Sequence, residues 1–201
     1  MDWIEPSSST NRATQLSADV DPCSLGYYHA TTNRGCERPH ARVIVGQRKL
    51  VGELREAFPA ESIDGKTAFA DWGGSYPDAS EYARAIDGKT WDELDAAYVV
   101  RRNDALGFLS IRQLVQLLPV YLRSVIDGGV MSPALDAVLV KLARPTNATS
   151  RHRFEALVAA LSAPQRAVIA GTLRLIADQD PDGSPGLAAR ATLDDVWETA
   201  P

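Results

Sequence analysis

Both cysteines and two of the three histidines of this chain lie within residues 23–40. Cys23, His29, Cys36 and His40 have the side chains of a zinc site, which requires four convergent ligands. Structural zinc ligands usually come as close pairs such as C-x2-C, whereas here only Cys36 and His40 are near enough to form a pair. We therefore predict ordinary residues of an extension. A zinc site and a surface disulfide remain the alternatives.

A second candidate is the pentapeptide IDGKT, which occurs at residues 63–67 and 86–90. Gly-Lys-Thr suggests a phosphate-binding loop, but that motif also needs a glycine five residues before the glycine of Gly-Lys. Those positions are Ala60 and Ala83. The pattern favours two Asp-Gly turns, each leading to a threonine cap, over a nucleotide site.

A third candidate is the acidic stretch DQDPDG at residues 178–183. Asp178, Asp180 and Asp182 alternate as in the first half of a calcium loop. The twelfth position, where a bidentate acid is required, is Ala189. We predict a solvated turn here and no metal or cofactor site in the chain.

Aromatic residues are concentrated in a loop rich in Gly and Asp between Phe69 and Tyr82. Trp and Tyr are favoured anchors at protein interfaces. The alternative is that these rings fold back onto the helices as a lid. The predicted partner-binding residues are Trp72, Tyr76, Tyr82 and Trp91.

The same region offers the only carboxylate arrangement that suggests an enzyme. Asp71, Trp72, Asp78 and Glu81 could contribute to a site if they face a concave pocket. The sequence has no serine elbow, no cysteine paired with a base, and only three histidines. We therefore expect no catalytic residues and keep a carboxylate enzyme as the alternative.

The composition is that of a globular protein with an acidic surface. Hydrophobic residues make up 45% of the 201 residues, which is enough to build a core. The net charge of -5 disfavours nucleic acid and anionic membranes, because both require clustered Lys and Arg. The most apolar stretch, residues 109–122, contains Arg112 and is too short to span a membrane. The first residues lack the apolar region of a secretory signal, so we expect a cytoplasmic protein with reduced thiols.

The elements that must position these residues are predicted to be helices. Residues 1–42 lack a sustained apolar period, and we expect a disordered or loosely ordered extension there. Residues 43–201 repeat apolar side chains at three- and four-residue steps, which predicts one all-α domain, an irregular multi-helix bundle. Pro119 predicts a kink or break in its helix. A loop rich in Pro and Gly is expected before Thr192. Helix starts are predicted by capping residues at Thr90, Ser110 and Ser162.

Five short motifs, taken in order, resemble a family of bacterial domains of unknown function. The resemblance covers about residues 50–178 and implies a bacterial, cytoplasmic, helical protein. It carries no established catalytic residue. The motifs are AF at residues 57–58, TWDEL at 90–94, LGFLS at 106–110, LPVYL at 118–122 and LSAPQ at 161–165.

These observations together predict a non-catalytic protein-interaction domain. The acidic charge suggests a basic partner, as for an immunity or antitoxin-like protein that neutralises a basic effector.

Overall fold

The structure, a computed structural model, describes residues 39–69 and 78–198, with side chains described from Val45 onward. In these residues the secondary structure is helical, without strands, which confirms the predicted all-α class. The first helix begins at Pro39, earlier than the expected domain start at residue 43. The helices are α1 (Pro39–Ala57), α2 (Ala79–Ile86), α3 (Ala96–Arg101), α4 (Ile111–Gly128), α5 (Leu135–Leu142), α6 (Ala148–Ala160), α7 (Ala163–Gln179) and α8 (Ser184–Thr192).

Helix α4 lies at the centre of the bundle. It packs against α1, α3, α5, α6 and α7. Leu114, Leu118 and Leu122 on α4 are completely buried, and burial of each such side chain is worth about 1.5–3 kcal/mol. Apolar contact around this helix therefore contributes to the stability of the domain together with the packing of α7 against α1 and α8.

Two of the predicted helix starts are confirmed. The hydroxyl of Ser162 accepts a hydrogen bond from the Gln165 amide, and the Gln165 side chain accepts one from the Ser162 amide, completing a capping box. Ser110 caps α4 through its side-chain oxygen, which accepts a bond from the Gln113 amide, but its own amide donates to the Ala68 carbonyl, so no capping box is completed there. Both caps satisfy amides that have no partner inside the helix.

The expectation of a helix starting at Thr90 is wrong, and only half of the predicted capping box forms, because the Glu93 amide donates to the Thr90 carbonyl and not to its hydroxyl. The Glu93 carboxylate does accept a hydrogen bond from the Thr90 amide, at 2.9 Å, but residues 90–94 form turns. Helix α3 starts only at Ala96, where the Asp95 side chain accepts a bond from the Tyr98 amide. Trp91 in this turn is buried, and its indole bonds to the carbonyl oxygen of Phe58.

Of the kink or break predicted at Pro119, the break does not occur, because α4 continues through that residue. Pro119 and its neighbours Leu118 and Val120 are buried. The missing amide removes one helical hydrogen bond, and the packing of the buried neighbours holds the helix together across that position.

Helix α8 replaces much of the loop that we expected before Thr192. It starts with Pro185 in its first turn, a position at which proline is favoured. Gly186 is buried where an added side chain would collide with the backbone of Asp180. The glycine therefore permits the close approach of α7 and α8, and α8 is followed by a π-helical turn, Leu193–Trp197.

Candidate functional site

The predicted partner-binding aromatic residues do not form a surface patch in the described residues. Tyr82 is 0% exposed and Trp91 is 7% exposed. The Trp91 indole donates a 2.9 Å hydrogen bond to the carbonyl oxygen of Phe58. This corrects the expectation for both residues, since their rings pack in the core. Trp72 and Tyr76 lie outside the described residues.

The carboxylates of the alternative enzyme site are engaged in ion pairs on the surface. Asp78 and Glu81 accept hydrogen bonds of 3.0 and 2.8 Å from the two terminal nitrogens of Arg102. Arg102 also lies 5.0 Å from the centroid of the Tyr98 ring, a cation–π contact. These contacts tie α2 to the end of α3. Asp71, the remaining carboxylate of that set, lies outside the described residues.

The described part of the chain holds no group of three or more His, Cys, Asp or Glu side chains placed to bind a metal. Asp178, Asp180 and Asp182 are within that part and do not form such a group. Cys23, His29 and Cys36 lie outside it. His40 falls on α1, in the portion for which only the backbone is described.

The two IDGKT copies pair with each other. The Ile63 amide donates to the Lys89 carbonyl and the Gly88 amide donates to the Ile63 carbonyl, both at 2.9 Å. The carboxylate of Asp87 accepts a 3.0 Å bond from the amide of Gly65. The backbone groups that would contact a phosphate are thus used to hold one loop against the other, and the repeat has a structural role here.

An open groove of about 280 Å³ lies between α5 and the 3₁₀ turn Asn103–Gly107. We call it the α5 groove. Its apolar part is formed by Leu106, Ala137 and Val140. The polar side chains that line it are Asn103, Asp104, Asp136 and Lys141.

The periodicity of α5 explains why these side chains face the groove. Leu135, Val138, Leu139 and Leu142 are buried on the inner face, as their spacing predicts. Residues on the opposite face must then point outward, and Val140 is 78% exposed. The sequence signal that could have indicated the groove is this valine, an apolar residue on the polar face of an amphipathic helix.

Lys141 is the unusual ionisable group of the groove. Burial, with a smaller repulsive contribution from Arg153 on α6, lowers the pKa of the Lys141 amine to about 8. Arg153 donates a hydrogen bond to the carbonyl of Leu109. Lys141 forms no ion pair with any carboxylate in the described residues. A partly buried cation without an anionic partner is destabilised, so a larger fraction of Lys141 than of an exposed lysine is neutral near pH 8.

A second groove, of about 350 Å³, lies beside the π-helical turn and is lined by Arg144, Arg166, Phe154 and Val196 among others. Arg144 already binds Asp195 at 3.2 Å, and Arg166 donates a 3.0 Å bond to the Leu161 carbonyl. Since both arginines have internal partners, this groove has less unused bonding capacity than the α5 groove.

Comparison of the chain with family models, curated proteins and solved structures finds no match. The resemblance to a bacterial domain family therefore stays a prediction.

One helical stretch in the described residues, Ile111–Met131, is long and apolar enough to cross a membrane by length and composition alone. Of its most apolar window, 56% is buried inside the fold, and core helices of soluble proteins pass the same test. The cytoplasmic location stays a prediction.

Proposed function

We propose that this chain is a non-catalytic protein-interaction domain whose α5 groove binds a basic segment of a partner protein. The supporting observation is Val140, a 78% exposed apolar side chain in a groove that also contains Asp104 and Asp136. A bacterial, cytoplasmic immunity or antitoxin-like protein that neutralises a basic effector fits this description, and those further attributes belong to the same proposal.

The apolar part of the groove provides the anchor. Burying Val140 under a partner side chain is worth about 1.5–3 kcal/mol before the costs of association, which is the size of a hot-spot contribution. Leu106 and Ala137 extend the surface on which such a side chain would pack.

The carboxylates provide the preference for a basic segment. Asp104 and Asp136 form no ion pair with any residue of the described chain, so both can pair with Lys or Arg of a partner. The net charge of -5 accelerates encounter with a basic protein. Lys141 repels a cation placed directly beside it, so we expect the basic residue of the partner to lie towards the two aspartates.

A photo-cross-linking experiment in native cells tests this function. The full chain carries a benzophenone amino acid at Val140 or, as a control, at Leu187, a 52% exposed apolar residue on α8. We expect one basic protein to be cross-linked from position 140 and not from position 187. Expression of that protein alone should then slow growth, and co-expression of this chain should restore it.

The identified protein is then purified for affinity measurements. Val140→Lys and the Asp104→Asn/Asp136→Asn double variant should each weaken binding at least about tenfold, with the aspartate variant also losing salt dependence. Equal cross-linking from both positions, an acidic partner, or unchanged affinity in the variants would refute the proposal.

A further inference from the structure

Lys141 differs from the other lysines of the chain. The chain has four, and Lys49, Lys66 and Lys89 are exposed to solvent. Lys49 pairs with Glu53 at 3.2 Å. Lys141 alone is partly buried and lines a groove. This contrast places one amine in an environment that the other three do not share.

We propose that Lys141 is a covalent binding site for small, neutral, apolar aldehydes or ketones, which its amine captures as an imine within the α5 groove. This activity is separate from partner binding, and it can be measured on the purified chain without a partner protein.

The reaction balances without an oxidant or a second reactant. The lone pair of the neutral amine attacks the carbonyl carbon, the carbon–oxygen π bond opens, and a proton moves from nitrogen to oxygen to give a carbinolamine. Loss of water then forms the carbon–nitrogen double bond. The products are the imine and one water molecule, and the step is reversible by hydrolysis.

The lining of the groove selects the class of carbonyl compound. Leu106, Ala137 and Val140 offer apolar contact to the carbon chain or ring. Asp104 and Asp136 repel anionic carbonyl compounds such as keto acids. The volume of about 280 Å³ is at the lower end for ligand pockets and therefore suits a small compound.

Burial increases the neutral, nucleophilic fraction of Lys141 near neutral pH, and the positive charge of Arg153 adds to this effect. The charged groups near it are Arg153 from α6, which disfavours the protonated amine, and the groove carboxylates Asp104 from the 3₁₀ turn and Asp136 from α5. With its pKa lowered to about 8 by burial and by Arg153, a substantial fraction of Lys141 is neutral at pH 7.5. An unperturbed lysine has a pKa near 10.4, so its neutral fraction there is roughly a hundredfold smaller. Lower intrinsic nucleophilicity offsets part of this gain.

Reductive trapping with benzaldehyde tests the proposal. The full chain is treated with benzaldehyde and sodium cyanoborohydride at pH 7.5, and peptide mass spectrometry follows the modification of each lysine with time. We expect Lys141 to react about tenfold faster than Lys49, Lys66 or Lys89, with a pH midpoint near 8. Glyoxylate, an anionic aldehyde, should lose most of this preference. Equal rates at all four lysines, or the slowest rate at Lys141, would contradict the proposal.

Two variants separate the groove from the amine. Lys141→Arg retains the charge and should abolish the fast phase only. Val140→Trp fills the groove while leaving the amine in place, and it should slow benzaldehyde capture at Lys141 with no change at Lys49. If Val140→Trp, shown to be folded by its near-ultraviolet circular dichroism, leaves the Lys141 rate unchanged, the groove is not the binding site.

Discussion

The paired IDGKT loops and the α5 groove use their polar groups in opposite ways. In the loops, the amides of Ile63, Gly65 and Gly88 all bond to acceptors of the other copy. In the groove, Lys141 and its neighbouring aspartates form no ion pair within the described chain, and Val140 is exposed. The loops resemble a known phosphate-binding motif, but their hydrogen-bonding groups already have partners within the chain. Polar groups without such partners are the better guide to a binding site.

The largest expected effect is a loss of stability that distinguishes the buried face of α5 from its exposed face. Leu142→Ala should lower the free energy of unfolding by about 2–5 kcal/mol, because it leaves a cavity at a fully buried position. Val140→Ala, two residues away and exposed, should change it by less than about 0.5 kcal/mol. Urea unfolding followed by circular dichroism measures both. A large loss for Val140→Ala would show that the groove side chain is structural.

Alanine substitution of one glycine in each region compares how tightly the two regions are packed. Gly65→Ala places a methyl group against the Ala83 carbonyl and within 2.9 Å of the Asp87 side chain, and we expect a loss of about 1–3 kcal/mol. Gly107→Ala in the groove has open space and should change stability by at most about 0.5 kcal/mol. Thermal unfolding of both variants tests this. Equal tolerance would mean that the loops are not tightly paired.

The Lys141 amine predicts a pH effect of intermediate size. Its pKa is about 8 in the fold and near 10.4 when unfolded, so between these values only the unfolded state keeps the proton. Stability of the wild type relative to Lys141→Met should therefore rise across pH 8–10. The change should be about 1–2 kcal/mol, after allowance for solvent screening. Chemical unfolding of both proteins at several pH values measures it, and a difference independent of pH would contradict the lowered pKa.

The smallest expected effect is the change in stability when a charged side chain with an ion-pair partner, or one without, is neutralised. Arg102→Gln removes two ion pairs and a ring contact and should lose about 0.5–1 kcal/mol, since these contacts are near the surface. Asp136→Asn removes no ion pair and should be neutral within about 0.3 kcal/mol. Unfolding in low and high salt measures both. A larger loss for Asp136→Asn would reveal an internal role for that carboxylate.

Local signals in the sequence were sufficient for much of the fold. The serine caps at Ser110 and Ser162 and the inner face of α5 follow from spacing alone. The helix expected at Thr90 does not form: the Glu93 carboxylate accepts from the Thr90 amide as the motif requires, but the Thr90 hydroxyl donates to the Asp92 and Glu93 carboxylates and does not cap an amide. Helix α8 was missed because its glycines serve packing against Asp180, a contact that has no local signature.

For the candidate site, the sequence was a poor guide to exposure. Aromatic residues are equally suited to cores and to interfaces, and the structure places Tyr82 and Trp91 in the core. Val140 lies on the outer face that the spacing of α5 predicts, but its place beside the 3₁₀ turn Asn103–Gly107 is set by tertiary packing.

The sequence by itself determined the all-α class, the acidic charge and the faces of the amphipathic helices, because these depend on residue type and on neighbours within a few positions. Only the tertiary structure decided that the IDGKT copies bind each other and that Lys141 shares a groove with Asp104. Such juxtapositions arise when distant segments pack together. The burial that lowers the pKa of Lys141 is a property of that packing, and no local pattern encodes it.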